Sequence, residues 1–170
     1  MLAGLPRNLA TVVAALVQRD SAPAQSCVRA WFHITPLDTG LSKLKSDRYL
    51  QLAEAAQLDF LIRTGLMRTM LARRYAFVNG AQLVRFARPV AVFSRVSIDT
   101  RVVWADAKWA WFSHALSVRD THCAEVLVKM KFKHGARTVT PAELLGEFSG
   151  PLPEPLRRWD ETLAALDAPH

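Results

Sequence analysis

The stretch that most constrains the fold runs from Asp47 to about Thr64 and predicts one helix that is apolar on nearly every side. With about 3.6 residues per turn, one stripe of this helix carries Tyr49, Ala53, Ala56 and Phe60. A helix this apolar normally lies in the core, so other parts of the chain have to cover it. The alanines let a backbone come close, as it does when a sheet wraps round a helix.

Both ends of this helix carry the expected start and stop signals. Ser46 is predicted to cap the first free backbone N–H groups, and Gly65 is predicted to end the helix. Asp59 and Arg63 are four residues apart, and we expect them to pair where the helix reaches water.

Apolar and polar residues alternate through the second half of the chain. This pattern predicts long antiparallel strands with one buried face, joined by short turns such as those at 105–107 and 120–122. The dipeptide Asn79–Gly80 predicts a turn or a bulge between two of them. The predicted strands are Val28–Ile34 before the helix, and Ala72–Val78, Gln82–Ala87, Phe93–Ala105, Lys108–Arg119 and Ala124–Lys133 after it.

A single apolar helix and a sheet with one apolar face bury each other most economically if the sheet curves round the helix. We therefore predict an α+β fold, a long curved antiparallel sheet wrapped round one central helix. Residues 1–170 are expected to form one domain, with an N-terminal helix and connector at 1–27, a core at 28–140 and a helical extension at 141–170. In that extension, a short helix starts at Pro141 and an amphipathic helix spans Glu154–Leu166.

Composition narrows the class of protein. The 170 residues are 51% hydrophobic and 22% charged, which indicates a globular protein, and no apolar run approaches the length of a membrane span. Arg7–Gln18 is predicted to be a packing helix, with a signal peptide as the alternative. The net charge of +7 fits a solvated basic face, a site for ligand phosphates, or a nucleic-acid or membrane surface. Cys27 and Cys123 fit free thiols of a cytoplasmic protein.

The order of elements and the local sequence resemble the hot-dog-fold thioesterase superfamily, in particular its 4-hydroxybenzoyl-CoA-thioesterase-like branch. The signature of that branch reads Asp-x-Asp, a short gap, His-x-Asn-Asn, two residues and Tyr, at the start of the helix. The matching segment here is Asp38–Leu50, DTGLSKLKSDRYL, one residue shorter. Phe86–Pro89, FARP, resembles the aromatic-x-Arg-Pro element that enters a long strand. The resemblance covers about residues 28–145 and implies the hot-dog fold.

This chain departs from the signature at the catalytic positions. In the family, the second acidic residue is the usual catalytic carboxylate, and Gly40 occupies its position here. The histidine position falls on Lys43, and the two asparagine positions fall on Lys45 and Ser46.

The surviving residues define the candidate site. We expect Asp38 to be the catalytic residue and Ser46, Tyr49 and Glu54 to bind substrate. Backbone N–H groups around Ser46 would polarise a thioester carbonyl, and Asp38 would act as the base if its loop turns it inward. The alternative is that Asp38 bonds only to its own turn. Glu54 is either an acid of the kind that some hot-dog enzymes draw from this helix or a structural residue.

Members of the family are typically dimers joined edge to edge, with the acyl pocket between subunits. The resemblance implies a homodimer or tetramer, with Arg73–Val78 at the seam. We expect no cofactor and no metal, since the sequence shows no Gly-rich phosphate loop and no metal-ligand spacing. The leading hypothesis is a protein that binds and hydrolyses an acyl-CoA thioester at this interface. The alternative is a noncatalytic acyl-thioester-binding or interaction module, and a nucleic-acid-binding protein is the least supported. Lys129, Lys131 and Lys133 are predicted to face solvent, with CoA phosphates as the alternative contact.

The remaining histidines carry no telling spacing. His33 and His114 lie on predicted strands without a partner acid, so we expect ordinary core or surface residues. His122 lies beside Asp120 and Cys123, but a tight turn there is a poor place for a catalytic cluster.

Overall fold

The computed structural model describes residues 22–166, so the predicted helix at Arg7–Gln18 lies outside the described residues. A short 3₁₀ turn over Pro36–Asp38 separates the first strand from the first helix. The helices and strands are β1 (Val28–His33), α1 (Ser46–Arg63), α2 (Leu66–Ala72), β2 (Ala76–Phe86), β3 (Arg95–Ala105), β4 (Ala110–Val118), β5 (Thr121–His134), β6 (Arg137–Val139), α3 (Ala142–Leu145) and α4 (Glu154–Leu166).

The strands form one antiparallel sheet in the order β1-β3-β4-β5-β2, and β6 pairs with β5. Arg119 and Asp120, both with left-handed φ angles (48° and 63°), make a two-residue turn between β4 and β5. The predicted turn at 120–122 is therefore wrong by one to two residues, because Thr121 and His122 already pair with β4.

The sheet curls round α1, which confirms the predicted α+β architecture. Phe60 of α1 meets Phe112 of β4 edge to face, with 5.7 Å between ring centroids. Gly65 has a left-handed φ of 74° after the last turn, as predicted. The fully buried residues on α1 include Leu52, Ala53, Ala55, Ala56, Phe60 and Leu61.

The two edges of the sheet differ. On β1, the backbone carbonyl of Arg29 accepts a hydrogen bond of 2.9 Å from Nη1 of Arg63 in α1. Every residue of β2 is exposed or half-buried, and β2 pairs only with β5 within residues 22–166. The edge at β2 is therefore the more open of the two.

Strand β2 replaces the two strands predicted at 72–78 and 82–87. The segment before Ala76 is not extended, because α2 runs to Ala72 and Arg74 has a left-handed φ of 55°. Residues 66–71, for which the sequence predicts no element, belong to this helix. Asn79–Gly80 forms a bulge, since the pairing register with β5 shifts between Asn79 and Ala81.

Helix α4 lies against the face of β5 that points away from α1. Lys129 donates a hydrogen bond to Asp160 of α4, and its ammonium lies 4.7 Å from the ring centroid of Trp109 and 5.3 Å from that of Trp111. Lys129 is buried, and Lys131 is half-buried. The predicted solvent-facing row of lysines is therefore wrong at Lys129, because an element 31 residues away covers it.

Candidate active site

The loop between β1 and α1 is held by backbone hydrogen bonds at the N-terminal end of the central helix. The N–H of Lys45 donates to the carbonyl of Asp38 at 3.1 Å, and the N–H of Leu44 donates to Val90 at 2.9 Å. A further bridge pairs Lys43 with Ala91. The loop is thus attached both to itself and to the segment that leads into β3.

Asp38 is buried inside this loop. Its Oδ2 accepts hydrogen bonds from the backbone N–H of Thr35 at 2.9 Å and from the Thr35 hydroxyl at 2.7 Å. These contacts form a capping box round the 3₁₀ turn. The sequence analysis gave hydrogen bonding of Asp38 to its own turn as the alternative, and these contacts are of that kind. The catalytic role of Asp38 remains a prediction.

Gly40 is exposed at the position where the family carries its usual acid. A Cβ built on Gly40 would meet no heavy atom within 4 Å, and its φ is not left-handed. Neither space nor backbone conformation therefore requires glycine here. The missing carboxylate is a difference in chemistry, because the loop has room for a side chain.

The N-terminus of α1 has no side-chain cap. Lys45 holds the N-cap position without a side-chain hydrogen bond to the helix, and Ser46 is the first helical residue. The predicted cap at Ser46 is therefore wrong, because the helix begins one residue earlier than expected. Asp47 is an acidic residue in the first turn, but no side-chain cap bond is made at this helix end within the described part of the chain.

Tyr49 connects the first turn of α1 to the end of β2. Its ring meets Phe86 edge to face, with 5.0 Å between ring centroids, and its hydroxyl lies near the backbone of Val90. Burial raises the pKa of Tyr49, so this hydroxyl is neutral at ordinary pH. Sequence reasoning missed Phe86 and Val90 as neighbours of Tyr49, although both lie in or beside the FARP segment that it had singled out.

Glu54 is exposed in the middle of α1, whereas Ala53 and Ala55 on either side are buried. Eight residues separate it from Ser46, which is about 12 Å along the helix axis. The structure therefore does not bring Glu54 to the helix N-terminus within one chain.

The three histidines considered from the sequence fall into two environments, exposed and buried. His33 is exposed on β1. On β5, His122 is exposed and Cys123 is buried, so the strand directs the side chains of His122 and Cys123 to different surroundings. His114 is fully buried, and its Nδ1 lies 2.9 Å from the hydroxyl of Thr100. Burial lowers the pKa of His114 to about 3, and its Nε2 has no hydrogen-bond partner among the described residues.

Two further observations apply to residues 22–166. They contain no group of three or more His, Cys, Asp and Glu side chains placed to hold a metal ion. No helix in this part of the chain is both long enough and apolar enough to cross a bilayer.

A family profile described as the thioesterase-like superfamily matches residues 41–157 of this chain. The chain belongs to that superfamily. The match spans most of the sheet, all of α1 and the start of α4, so it includes the whole wrapped helix and the second half of the candidate loop.

The structural relatives of this thioesterase-like protein share its fold at low sequence identity. The probable thioesterase YbaW of Escherichia coli is 16% identical, with a TM-score of 0.64 over 69% of this chain and 96% of that one. A hypothetical protein of Staphylococcus aureus, solved in complex with CoA, is 13% identical, with a TM-score of 0.62 over 79% and 94%. A 1,4-dihydroxy-2-naphthoyl-CoA thioesterase from Synechocystis is 17% identical, with a TM-score of 0.57 over 85% and 100%.

One curated relative matches by sequence. Protein THEM6 of Drosophila melanogaster is 32% identical over 72 residues, which is 42% of this thioesterase-like chain and 37% of that protein. The matched segment therefore spans little more than a third of that relative's length.

Proposed function

We propose that this protein binds an acyl-CoA thioester between two copies joined along β2, and hydrolyses it with Asp38 and the N-terminus of α1. One observation carries the proposal: the contact between Tyr49 and Phe86 holds the uncapped start of α1 beside the open edge strand. A second copy on that edge would close a cleft next to the helix N–H groups. An acyl-CoA fits such a cleft, in line with the substrate named for the Synechocystis relative and the CoA bound by the Staphylococcus aureus relative.

The surface of β2 supports the pairing of two copies. An edge strand of 11 residues exposes a row of unpaired backbone groups, which native proteins normally cover or interrupt. Its apolar side chains add to the exposed area. The large exposed hydrophobic residues of β2 are Phe77, Val78, Leu83 and Phe86.

In the proposed reaction, the thioester carbonyl oxygen lies against the free N–H groups at the start of α1, which stabilise the oxyanion. Water adds to the carbonyl carbon, the C–S bond breaks, and the thiolate of CoA leaves and takes up a proton, so the products are a carboxylic acid and free CoA. Asp38 accepts the proton from the attacking water. The two hydrogen bonds from Thr35 hold the Asp38 carboxylate in its own loop, and we therefore expect slow turnover.

A second candidate function is binding of the acyl thioester without hydrolysis. The capping box occupied by Asp38 favours it, because a carboxylate engaged in holding its own loop is less available to activate water. Glycine at position 40 favours it as well, since the family's usual acid is missing.

The experiment that separates the two is release of CoA thiol from a panel of acyl-CoAs by the wild type and by Asp38→Asn. Asparagine keeps an oxygen that can accept the hydrogen bonds from Thr35, but it cannot act as a base. Asp47→Asn is the matched control, because Asp47 is an exposed carboxylate in the first turn of α1.

Loss of turnover in Asp38→Asn, with turnover kept in Asp47→Asn, supports hydrolysis through Asp38. A rise in melting temperature with acyl-CoA but without turnover supports the binding function. If no acyl-CoA is hydrolysed and none raises the melting temperature, both candidate functions are contradicted.

A further inference from the structure

The loops at the N-terminal end of α1 project three large apolar side chains, Leu37, Leu41 and Phe93, which we call the loop crest. Their exposed fractions are 83%, 107% and 76%. Among the exposed large hydrophobic residues of the described chain, these three values are the highest. Single exposed leucines are ordinary, but an exposed apolar patch made by three large side chains in one region is typical of an interaction site.

Backbone hydrogen bonds hold the parts of the loop crest side by side. The N–H of Phe93 donates to the carbonyl of Ile34 at 2.8 Å, three residues before the first crest leucine. The N–H of Val92 donates to the carbonyl of Ser42 at 3.1 Å, and Ser42 directly follows Leu41. The three tips therefore belong to one rim of the molecule, and none of them lies on β2.

The backbone at Phe93 is in an unfavourable conformation. Its φ of 63° lies in the left-handed region, which Gly and Asn adopt more readily than an aromatic residue. Burial in the core does not compensate for this strain, because the side chain is mostly exposed. A strained residue that carries an exposed phenyl ring indicates that the ring is used outside the fold of the single chain.

The loop crest is flanked by positive charge. Lys43 and Lys45 are exposed in the same loops, and Arg95 is exposed at the start of β3, with its guanidinium 4.2 Å from the ring centroid of Trp31. The carboxylates of the surrounding segments 33–48 and 88–95 are Asp38, which is buried, and Asp47, whose Oδ2 lies 3.7 Å from the Nε of Arg48. The rim therefore carries excess positive charge, in a chain of net charge +7.

We propose that the loop crest inserts into the interfacial layer of an anionic phospholipid bilayer, with the flanking lysines and arginine on the lipid phosphates. Separate apolar tips among basic residues are suited to shallow insertion, where apolar burial and attraction to anionic lipid act together. A second copy of the chain is a poorer occupant, because the crest offers no unpaired strand and β2 offers one. The inference rests on the surface of one chain and does not require that the protein hydrolyses thioesters.

The test is co-sedimentation of the full chain with phosphatidylcholine vesicles, with and without about 30% phosphatidylserine. We expect binding that increases with phosphatidylserine and decreases with added salt. The double variant Leu41→Ser/Phe93→Asn should lower the partition constant by about tenfold or more, because two apolar insertions are lost. Asparagine relieves the strain at 93, so the variant should melt no earlier than the wild type.

The matched control is Leu71→Ser, which removes a leucine that is 71% exposed on α2. α2 follows the far end of α1, a helix of 18 residues and therefore about 27 Å long. This variant should bind vesicles as the wild type does. A second charge test is Lys43→Glu, which should weaken binding to the anionic vesicles and leave binding to pure phosphatidylcholine unchanged.

Three results would overturn the proposal. The first is that the wild type does not bind the anionic vesicles. The second is that the double variant binds them with the same partition constant as the wild type and Leu71→Ser. Alternatively, light scattering shows that the double variant converts a dimer to a monomer while vesicle binding is unchanged, which would assign the crest to the contact between copies. None of these readouts involves thioester turnover, so failure here leaves the test of Asp38 intact.

Discussion

The indole ring of Trp109 lies directly on the backbone of Gly80, so that a Cβ on this glycine would come 2.5 Å from a ring carbon. Gly80 is the bulge of edge strand β2, and Trp109 precedes β4. The ammonium groups of Lys108, Lys129 and Lys131 lie 4.7–5.5 Å from the same ring. The bulge thus packs against a ring that is itself held by a group of cations.

Gly80→Ala should therefore lower the free energy of unfolding by about 1–3 kcal/mol, because the new methyl group overlaps the indole. In a Trp109→Ala background the same change should cost much less. Urea denaturation of the two single variants and the double variant measures the coupling between the two positions. Equal costs in both backgrounds would show that the overlap is not what disfavours a side chain at position 80.

The buried imidazole of His114 predicts a loss of stability in acid. Its pKa is about 3 in the folded chain, well below the ordinary value, so the unfolded chain binds the additional proton between about pH 6.5 and pH 3. Stability contributed by neutral His114 is complete above this window and falls as the pH falls through it, by up to about 1.4 kcal/mol per pH unit. Urea denaturation across the window should show a smaller slope for His114→Leu than for the wild type. Identical slopes would contradict the burial of a neutral imidazole.

Gly40→Asp should raise thioester hydrolysis, because the loop has room for the side chain and the family carries its acid there. A correctly placed base contributes about a hundredfold or more, and an unrefined one less, so we expect a gain of about tenfold in kcat/KM. Gly40→Asn is the control for shape without basicity. If both variants gain activity, or neither does, then the missing carboxylate at position 40 is not the cause of slow turnover.

Lys129 and Asp160 form an ion pair that is mostly buried, with side-chain exposures of 11% and 36%. Asp160→Ala should lower the free energy of unfolding by about 1–3 kcal/mol, since it leaves the Lys129 ammonium covered without its carboxylate. Glu161→Ala breaks the exposed pair with Arg157 on the same helix and should cost much less, because solvent screens that pair. Denaturation curves that rank the two variants the other way would show that α4 is not anchored by Lys129.

The exposed edge predicts a change in oligomeric state. Leu83→Lys places a charge on β2, where two copies would bring two such charges together, and should raise the dimer dissociation constant by about tenfold or more. Light scattering during gel filtration measures it, with Leu71→Lys on α2 as the control. A wild type that is monomeric at high concentration would remove the proposed interface.

Much of the fold was predictable because the signals are local. The wheel over α1 shows apolar residues on nearly every side, and this pattern, together with the alternation in the second half of the chain, predicted a covering sheet. The start of α4 at Glu154 and the left-handed Gly65 agree with the prediction for the same reason, since caps and amphipathic periods depend on neighbouring residues. The pair of Asp59 and Arg63 is also present, at 3.5 Å.

The candidate site was predictable only as a location. The signature placed Asp38, Ser46 and Tyr49 at one end of the central helix, and the structure places them there. The direction of the Asp38 carboxylate depends on the short 3₁₀ turn and on Thr35, which no pattern in the signature specifies. The neighbours of Tyr49 come from a segment about 40 residues away, so their arrangement could not be obtained from spacing.

By itself, the sequence determined that an apolar helix lies inside a curved antiparallel sheet, because hydrophobic periodicity follows from the geometry of each element. Only the tertiary structure decided which polar groups lose their water. Lys129 and His114 alternate along their strands as ordinary residues do, yet α4 covers one and the interior encloses the other. Desolvation depends on contacts between segments distant in the chain, and a local pattern carries no information about those contacts.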